Sequence, residues 1–247
     1  MNIHILTFES IDSTNIEALK QARLGAAEGL CIIAREQTAG RGRRQRTWVS
    51  KKDAGLYFSI VLRPKIENKF LPLITLMTGV SVHATLVEYG LKPDIKWVND
   101  IHINGKKISG ILAETTDTDD GITVVAGIGI NIQDSHFAPE IFHSATSLKS
   151  ETDRDFAPSE VAEKLIAHIR FFYDILHRDN GPAEIIAEWR RRSSYYSGKP
   201  VRVVVENDTI IGITDGLELT GALRVRRNDG SLTIVQAGDV EQLRSAS

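Results

Sequence analysis

Residues 36–48, EQTAGRGRRQRTW, concentrate groups able to hold a small anion. Between Arg41 and Lys52 there are six basic residues and no acidic one. Gly40 and Gly42 lie inside that run, and glycine lets the backbone take positive φ and lets a ligand come close. Guanidinium groups grip carboxylate and phosphate with two parallel hydrogen bonds. Such a loop, closed by the indole of Trp48, is suited to folding over a small anionic ligand. It does not match a dinucleotide fingerprint, because the third glycine would fall at Gln45 and no helix follows. A solvated basic loop and a nucleic-acid patch are the competing readings.

Three further groups of polar residues stand at places where elements begin or end. Residues 2–11 read as a strand that turns into a helix through DSTNIEALKQARLG, so Ser13, Thr14 and Asn15 sit at a helix start. Thr14 with Glu17 reads as a capping box, and Gly25 as the helix stop. Farther on, IKWV reads as a strand followed by Asn99 and Asp100, and IHI and KKISGILAE flank Asn104-Gly105. Asn-Gly between alternating runs is the strongest short-range hairpin signal. Period-2 alternation sends Lys106 and Lys107 to opposite faces, one of them the inner face. Gly110, in mid-strand, signals close approach of a ligand or another backbone. The buried run ITVVAGIGINI carries Gly127 and Gly129 and ends in Asn131.

The elements that must position these groups follow from the remaining pattern. Residues 29–36 read as a buried strand, and the basic loop then runs to about Gly55 and into a strand over 56–62. With no helix N-terminus between the two strands, arginine side chains and loop amides must do the anion binding. Residues 70–89 carry a helical pattern that includes His83, read as structural. Residues 133–157 read mostly as loop, and Asp117–Gly121 as a solvated acidic turn rather than a metal site. Pro158 opens a helix to about Asn180, and Pro182 opens another through Trp189. Arg190–Arg192 complement the dipole of that helix in its last turn. From Lys199 onward, five short strands separated by Asn-Asp and Asp-Gly turns suggest a small barrel. The boundary falls near 196–198, giving a first domain of 1–196 and a second of 197–247.

The 247 residues are 42% hydrophobic and 25% charged with a net charge of −2, as in an ordinary globular protein. That balance argues against a dedicated duplex-binding domain. Cys31 is the only cysteine, so no internal disulfide is possible, which suits a reducing cytoplasm. Its apolar setting, GLCIIA, reads as a buried structural thiol. The N-terminus lacks the basic and apolar regions of a signal peptide. No stretch is read as approaching the roughly 20 apolar residues of a membrane span.

DSTN, EQTAGRGRRQRTW, KWVNDIHINGKKISGILAE and VVAGIGINI together resemble the biotin–protein ligases, in that family's order and spacing, over nearly the whole chain. The resemblance implies an α+β fold: a mixed, largely antiparallel sheet packed with helices (class II synthetase-like), plus a small SH3-like C-terminal β-barrel. It implies ATP and biotin as substrates with Mg²⁺, formation of biotinyl-5′-AMP, and transfer of biotin to a lysine of a biotin carboxyl carrier protein. Ser13, Thr14, Asn15, Gln37, Arg41, Gly42, Arg43 and Lys107 match biotin-contacting positions. Arg46 and Trp48 match loop positions that close over the adenylate. Lys96, Asn99 and Asn131 match positions near the nucleotide, and Asp100 a position near Mg²⁺ or the acceptor amine. Lys107, Arg41 and Arg43 are the expected catalytic cations. Ser13, Thr14, Asn15 and the Gly110 backbone are the expected partners of the ureido ring, with apolar walls from the strands at Ile108 and Val124. Residues 40–52 are expected to be mobile without ligand and to order over the adenylate.

The chain departs from the family pattern at Gln45, where the loop usually has glycine, and at Val98, where KWPND has proline. Val98 restores a backbone N–H there. The resemblance also leads one to expect no N-terminal helix-turn-helix and no sequence-specific DNA binding; it leaves both a monomer and a homodimer paired through sheet edges open. A lipoate–protein ligase shares the fold, but its three consecutive glycines and His-Asp pair are absent, as is the pocket thiol of the octanoyl-transferase relatives. A nucleic-acid-binding module using the loop, the small barrel and Arg224, Arg226 and Arg227 leaves the hairpin lysine unexplained. A non-catalytic scaffold leaves the motif order unexplained.

Overall fold

Alternation along three buried strands decides which side of the main sheet does what. Cys31, Ile60, Val124 and Ala126 point to one face, and their neighbours Ile32, Val61 and Val125 to the other. Each face therefore recruits its own cover, because an apolar sheet face is stable only when buried. The computed structural model describes residues 1–134, 137, 142–205, 208–236 and 238–242.

The main sheet contains β1 (His4–Phe8), β2 (Leu30–Ala34), β3 (Gly55–Leu62), β4 (Asp94–Lys96), β5 (Asp100–Ile103), β6 (Lys106–Thr118) and β7 (Gly121–Asn131). Its order is β1-β2-β3-β7-β6-β5-β4. Only β1 and β2 pair in parallel; every other pairing is antiparallel. The β5–β6 hairpin turns at Asn104 and Gly105 with φ of 51° and 79°. Both values are positive, as a type I′ turn demands.

Helix α1 (Thr14–Arg23) covers one face through Ala18, Leu19 and Ala22. Helices α2 (Leu73–Glu88), α4 (Pro158–Leu176) and α5 (Gly181–Arg190) build the larger core on the other, and a short α3 (Leu148–Thr152) interrupts the stretch expected to be mostly loop. The expected capping box does not form. The N-cap is Ser13, which makes no side-chain cap bond, and Glu17 turns outward to Lys20 and Gln21. Thr14 is already inside the helix, and its hydroxyl is drawn to Gln37 instead.

One expectation about membrane segments needs correction. The helical stretch Asn68–Glu88 is long and apolar enough to cross a membrane by composition, with a mean hydropathy of 1.7. In the fold it is the central core helix, in contact with β6, α4 and α5. Burial on nearly all sides accounts for its uniform apolarity.

The C-terminal part is a five-stranded antiparallel sheet of β8 (Ser197–Val205), β9 (Asp208–Leu217), β10 (Leu223–Arg227), β11 (Leu232–Val235) and β12 (Asp239–Gln242), in the order β11-β10-β9-β8-β12. Its apolar face, with Val201, Val203, Leu223 and Val225, is continuous with the main core. The buried Trp97 indole donates to the Gly221 carbonyl at 3.0 Å across the junction.

Candidate active site

A cavity of about 300 Å³ opens on the α1 side of the main sheet. The ladder explains its position. Gly110 pairs with Gly129 across β6–β7, and Leu112 pairs with Gly127, so these residues share one face. The missing side chains leave a trough. A methyl at Gly127 would fall 1.9 Å from Asn15 Oδ1, and one at Gly129 would fall 2.3 Å from the Trp48 ring. Both glycines are thus required by close approach of a neighbouring side chain.

One end of the trough is a buried polar network. The Thr14 backbone N–H and hydroxyl both donate to Gln37 Oε1, at 2.8 and 3.1 Å, and Gln37 Nε2 donates to Ser50 Oγ at 2.7 Å. Ser59, on the floor strand β3, lies 2.8 Å from Thr14 Oγ1 and 2.6 Å from Asn15 Oδ1. Asn15 Nδ2 spends its two hydrogens on Leu112 O and Glu114 Oε2. Asn15 is therefore fixed by the protein rather than holding donors in reserve, while Ser13 is buried in the lining with no side-chain bond among the described residues.

The other wall is the basic loop, which folds as a narrow β-hairpin. Gln37 N donates to Ser50 O, Trp48 N to Gly40 O, and Gly42 N to Arg46 O. The tip, Arg43–Gln45, is a single 3₁₀ turn in which Arg44 and Gln45 have φ of 52° and 60°. That left-handed geometry gives a physical reason for the glycine common at the position of Gln45. Arg41 pairs with Glu114 at 2.9 Å, and Arg43 Nη1 donates to Asn99 Oδ1 at 3.1 Å. The Trp48 ring lies on the glycine floor, its buried Nε1 without a hydrogen-bond partner among the described residues, and Lys107 Nζ stands 5.5 Å from the ring centroid.

Lys107 enters the cavity from β6 and pairs with Asp100 on β5 at 2.6 Å. Its backbone is clamped by Ser144 and Thr146, and Asn131 Nδ2 donates to the Thr146 carbonyl at 3.0 Å. Next to Asp100 on the same strand, His102 is pushed down to about 4 by burial, with the Lys96 charge adding to the effect. Cys31 is fully buried in the opposite core, and burial pushes its thiol up to about 12. It is structural, as its sequence setting suggests.

The structure brings Ser13, Thr14, Asn15, Gln37, Arg41, Gly42, Arg43, Arg46, Trp48, Asn99, Asp100, Lys107, Gly110 and Asn131 around one cavity. Lys96 is not in its lining. It pairs opposite Asp100 across β4–β5, just outside. Ile108 and Val124 themselves belong to the core on the other side of the sheet; the apolar lining comes from Leu112, farther along the strand that holds Ile108, and from Trp48. Sequence reasoning missed Glu114 and Ser59. Counting by twos from Gly110 puts Glu114 on the cavity face, and Ser59 is the only polar residue in the buried strand LYFSIVL.

Comparison with known proteins follows this geometry. Residues 7–131 match the model of the biotin/lipoate A/B protein ligase family, and residues 196–242 match the biotin protein ligase C terminal domain. The chain belongs to the biotin/lipoate A/B protein ligase family. It is 35% identical to the bifunctional ligase/repressor BirA of Bacillus subtilis over 98% of this chain and 74% of that one. It is 33% identical to a biotin–[acetyl-CoA-carboxylase] ligase of Paracoccus denitrificans over 92% of this chain and 95% of that one. Among solved structures, the biotin protein ligase from Aquifex aeolicus in complex with biotin and ATP superposes with a TM-score of 0.83 at 30% identity, covering 98% and 99% of the two chains. The family's fold, a mixed sheet with helices followed by a small antiparallel sheet, is the one found here.

Proposed function

We propose that the protein is a biotin–[carboxyl-carrier protein] ligase that makes biotinyl-5′-AMP and transfers biotin to a carrier lysine. The observation that carries this reading is the convergence of Lys107, Arg41 and Arg43 on a trough floored by Gly110, Gly127 and Gly129. In the first step a biotin carboxylate oxygen attacks the α-phosphorus of MgATP and pyrophosphate leaves. In the second, a carrier lysine amine attacks the acyl carbon and AMP leaves. Both reactants of the first step are anions, so fixed cations between them lower the barrier by preorganised electrostatics. In this reading Lys107, paired with Asp100 and with its backbone clamped, takes that role together with Arg41 and Arg43, which line the same cavity. The neutral ureido ring needs hydrogen-bonding partners when buried, which the Ser13–Gln37 end offers. Trp48 and Leu112 supply the apolar wall.

Asp100 fits a resident metal poorly. Its carboxylate is bound to Lys107, and no group of three or more metal-ligating side chains occurs among the described residues. Mg²⁺ usually arrives with substrate phosphates and keeps several waters. In this reading it enters as part of MgATP, and Asp100 orients Lys107. The proposed division is a catalytic unit of 1–196 and a C-terminal unit of 197–247, supported by the separate sheet and the family match from residue 196.

The test is transfer. Incubation with biotin, MgATP and a biotin carboxyl carrier fragment should add one biotin to one lysine, seen by mass spectrometry. Unmodified carrier, or modification with lipoate in place of biotin, would overturn the reading.

A further inference from the structure

The cationic hairpin touches the C-terminal sheet as well as the cavity. Arg44 Nη2 donates to the Val204 carbonyl at 2.9 Å, and Arg43 Nη1 donates to the Gly238 carbonyl at 3.3 Å. The two acceptors lie together, because Asp239, next to Gly238, pairs with Val204 in the β8–β12 ladder. Arg44 is absent from the cavity lining, whereas Arg43 is in it and also bonds Asn99. The tip thus faces two ways. Arg43 bridges site and sheet, and the left-handed turn at Arg44 and Gln45 carries Arg44 away from the cavity and toward the sheet. Val204 is held in the β8–β12 ladder and Gly238 directly precedes β12, so the two carbonyls are positioned by the sheet rather than by the hairpin.

We propose that the carbonyls of Val204 and Gly238 are a dock for the hairpin tip, and that Arg44 is a positioning residue whose seating there sets how long the adenylate stays in the cavity. The proposal rests on the adenylate reading above and extends it to the C-terminal sheet. Without Arg44 the hairpin keeps its base pairings and the contacts of Arg41 with Glu114 and Arg43 with Asn99, but its outermost residue loses its seat, so the tip loosens and admits water to the mixed anhydride more often. A charged donor on a carbonyl is among the stronger single hydrogen bonds, so its loss corresponds to roughly a tenfold change in release.

The experiment has two arms on the full chain. In the first, labelled biotinyl-5′-AMP is formed with biotin and MgATP, free nucleotide is removed, and label release is followed. Arg44→Ala should release it about tenfold faster, with Arg44→Lys in between and the rate of adenylate formation unchanged. In the second, ligand-free protein is exposed to chymotrypsin, and cleavage at Trp48 should be faster in Arg44→Ala than in wild type. Equal release and equal cleavage in wild type and Arg44→Ala would overturn the dock. Failure of wild type to form adenylate, with cleavage still faster in the variant, would overturn the ligase reading and leave the dock standing.

Discussion

The two walls of the cavity are built from different interactions. The wall made by α1, β3 and Gln37 is neutral and buried, and its hydrogen bonds join groups that fold together with the core. The hairpin wall is cationic, and its arginines pair with Glu114, Asn99 and C-terminal carbonyls at or near the surface. Neutral bonds of the first kind contribute roughly 0.5–1.5 kcal/mol each, but breaking one so that a buried partner is stranded costs about 1–3 kcal/mol. Exposed ion pairs such as Arg41–Glu114 contribute little to stability, about 0–1 kcal/mol. The first wall is therefore held together by the fold itself. The second costs little to rearrange, and on the proposed function its electrostatic value comes when an anion replaces water and Glu114 around it.

That contrast can be broken or sharpened by substitution. The largest effect is expected at Lys107, where the two walls meet the charge. Lys107→Ala should lose roughly a hundredfold or more in turnover while keeping its melting temperature within a few degrees. Next comes Ser59→Ala, which strands Asn15 Oδ1 and Thr14 in the buried wall. It should cost about 1–3 kcal/mol in a urea titration, whereas Arg41→Ala should stay within about 0.5 kcal/mol and weaken biotin binding instead. Equal destabilisation by both would erase the distinction between the walls.

A pH effect of intermediate size belongs to the β4–β5 side. His102 and His83 are both held down to about 4 by burial, from an ordinary 6.5. Above pH 6.5 they are neutral in both folded and unfolded chains, and their contribution is fully present. As pH falls, the unfolded chain takes up protons first, so stability drops between about 6.5 and 4 and levels off below. His102→Gln should flatten part of that slope in melting curves, and an unchanged slope would mean other groups dominate it. The smallest effect is at the hairpin tip. Gln45→Gly should relieve the left-handed backbone and stabilise by at most about 1 kcal/mol, with activity little changed.

Legibility in the sequence followed the same divide. The Asn104-Gly105 turn, the glycine floor and the approach of the cations to one cavity were readable, because turn chemistry and period-2 alternation are local rules. That Lys96 lies outside the cavity lining was not readable, because its place depends on where β4 lies relative to the cavity, which no local pattern records. The capping box failed because Ser13 is the N-cap and Gln37, 23 residues away, accepts the Thr14 N–H that the Glu17 carboxylate would have taken. Ile108 faces the core although it is two residues from Gly110, because the β5–β6 register shifts beside it, and a shift of that kind leaves no local signal. The hairpin form of the loop, and its contact with a sheet some 160 residues later in the chain, are tertiary facts of the same kind.

The most direct test of the account is exchange of labelled pyrophosphate into ATP by the wild-type protein. The cavity as described predicts exchange that requires biotin and MgATP together, is lost in Lys107→Ala, and is not supported by lipoate or octanoate. Exchange without biotin, or an undiminished rate in Lys107→Ala, would contradict it.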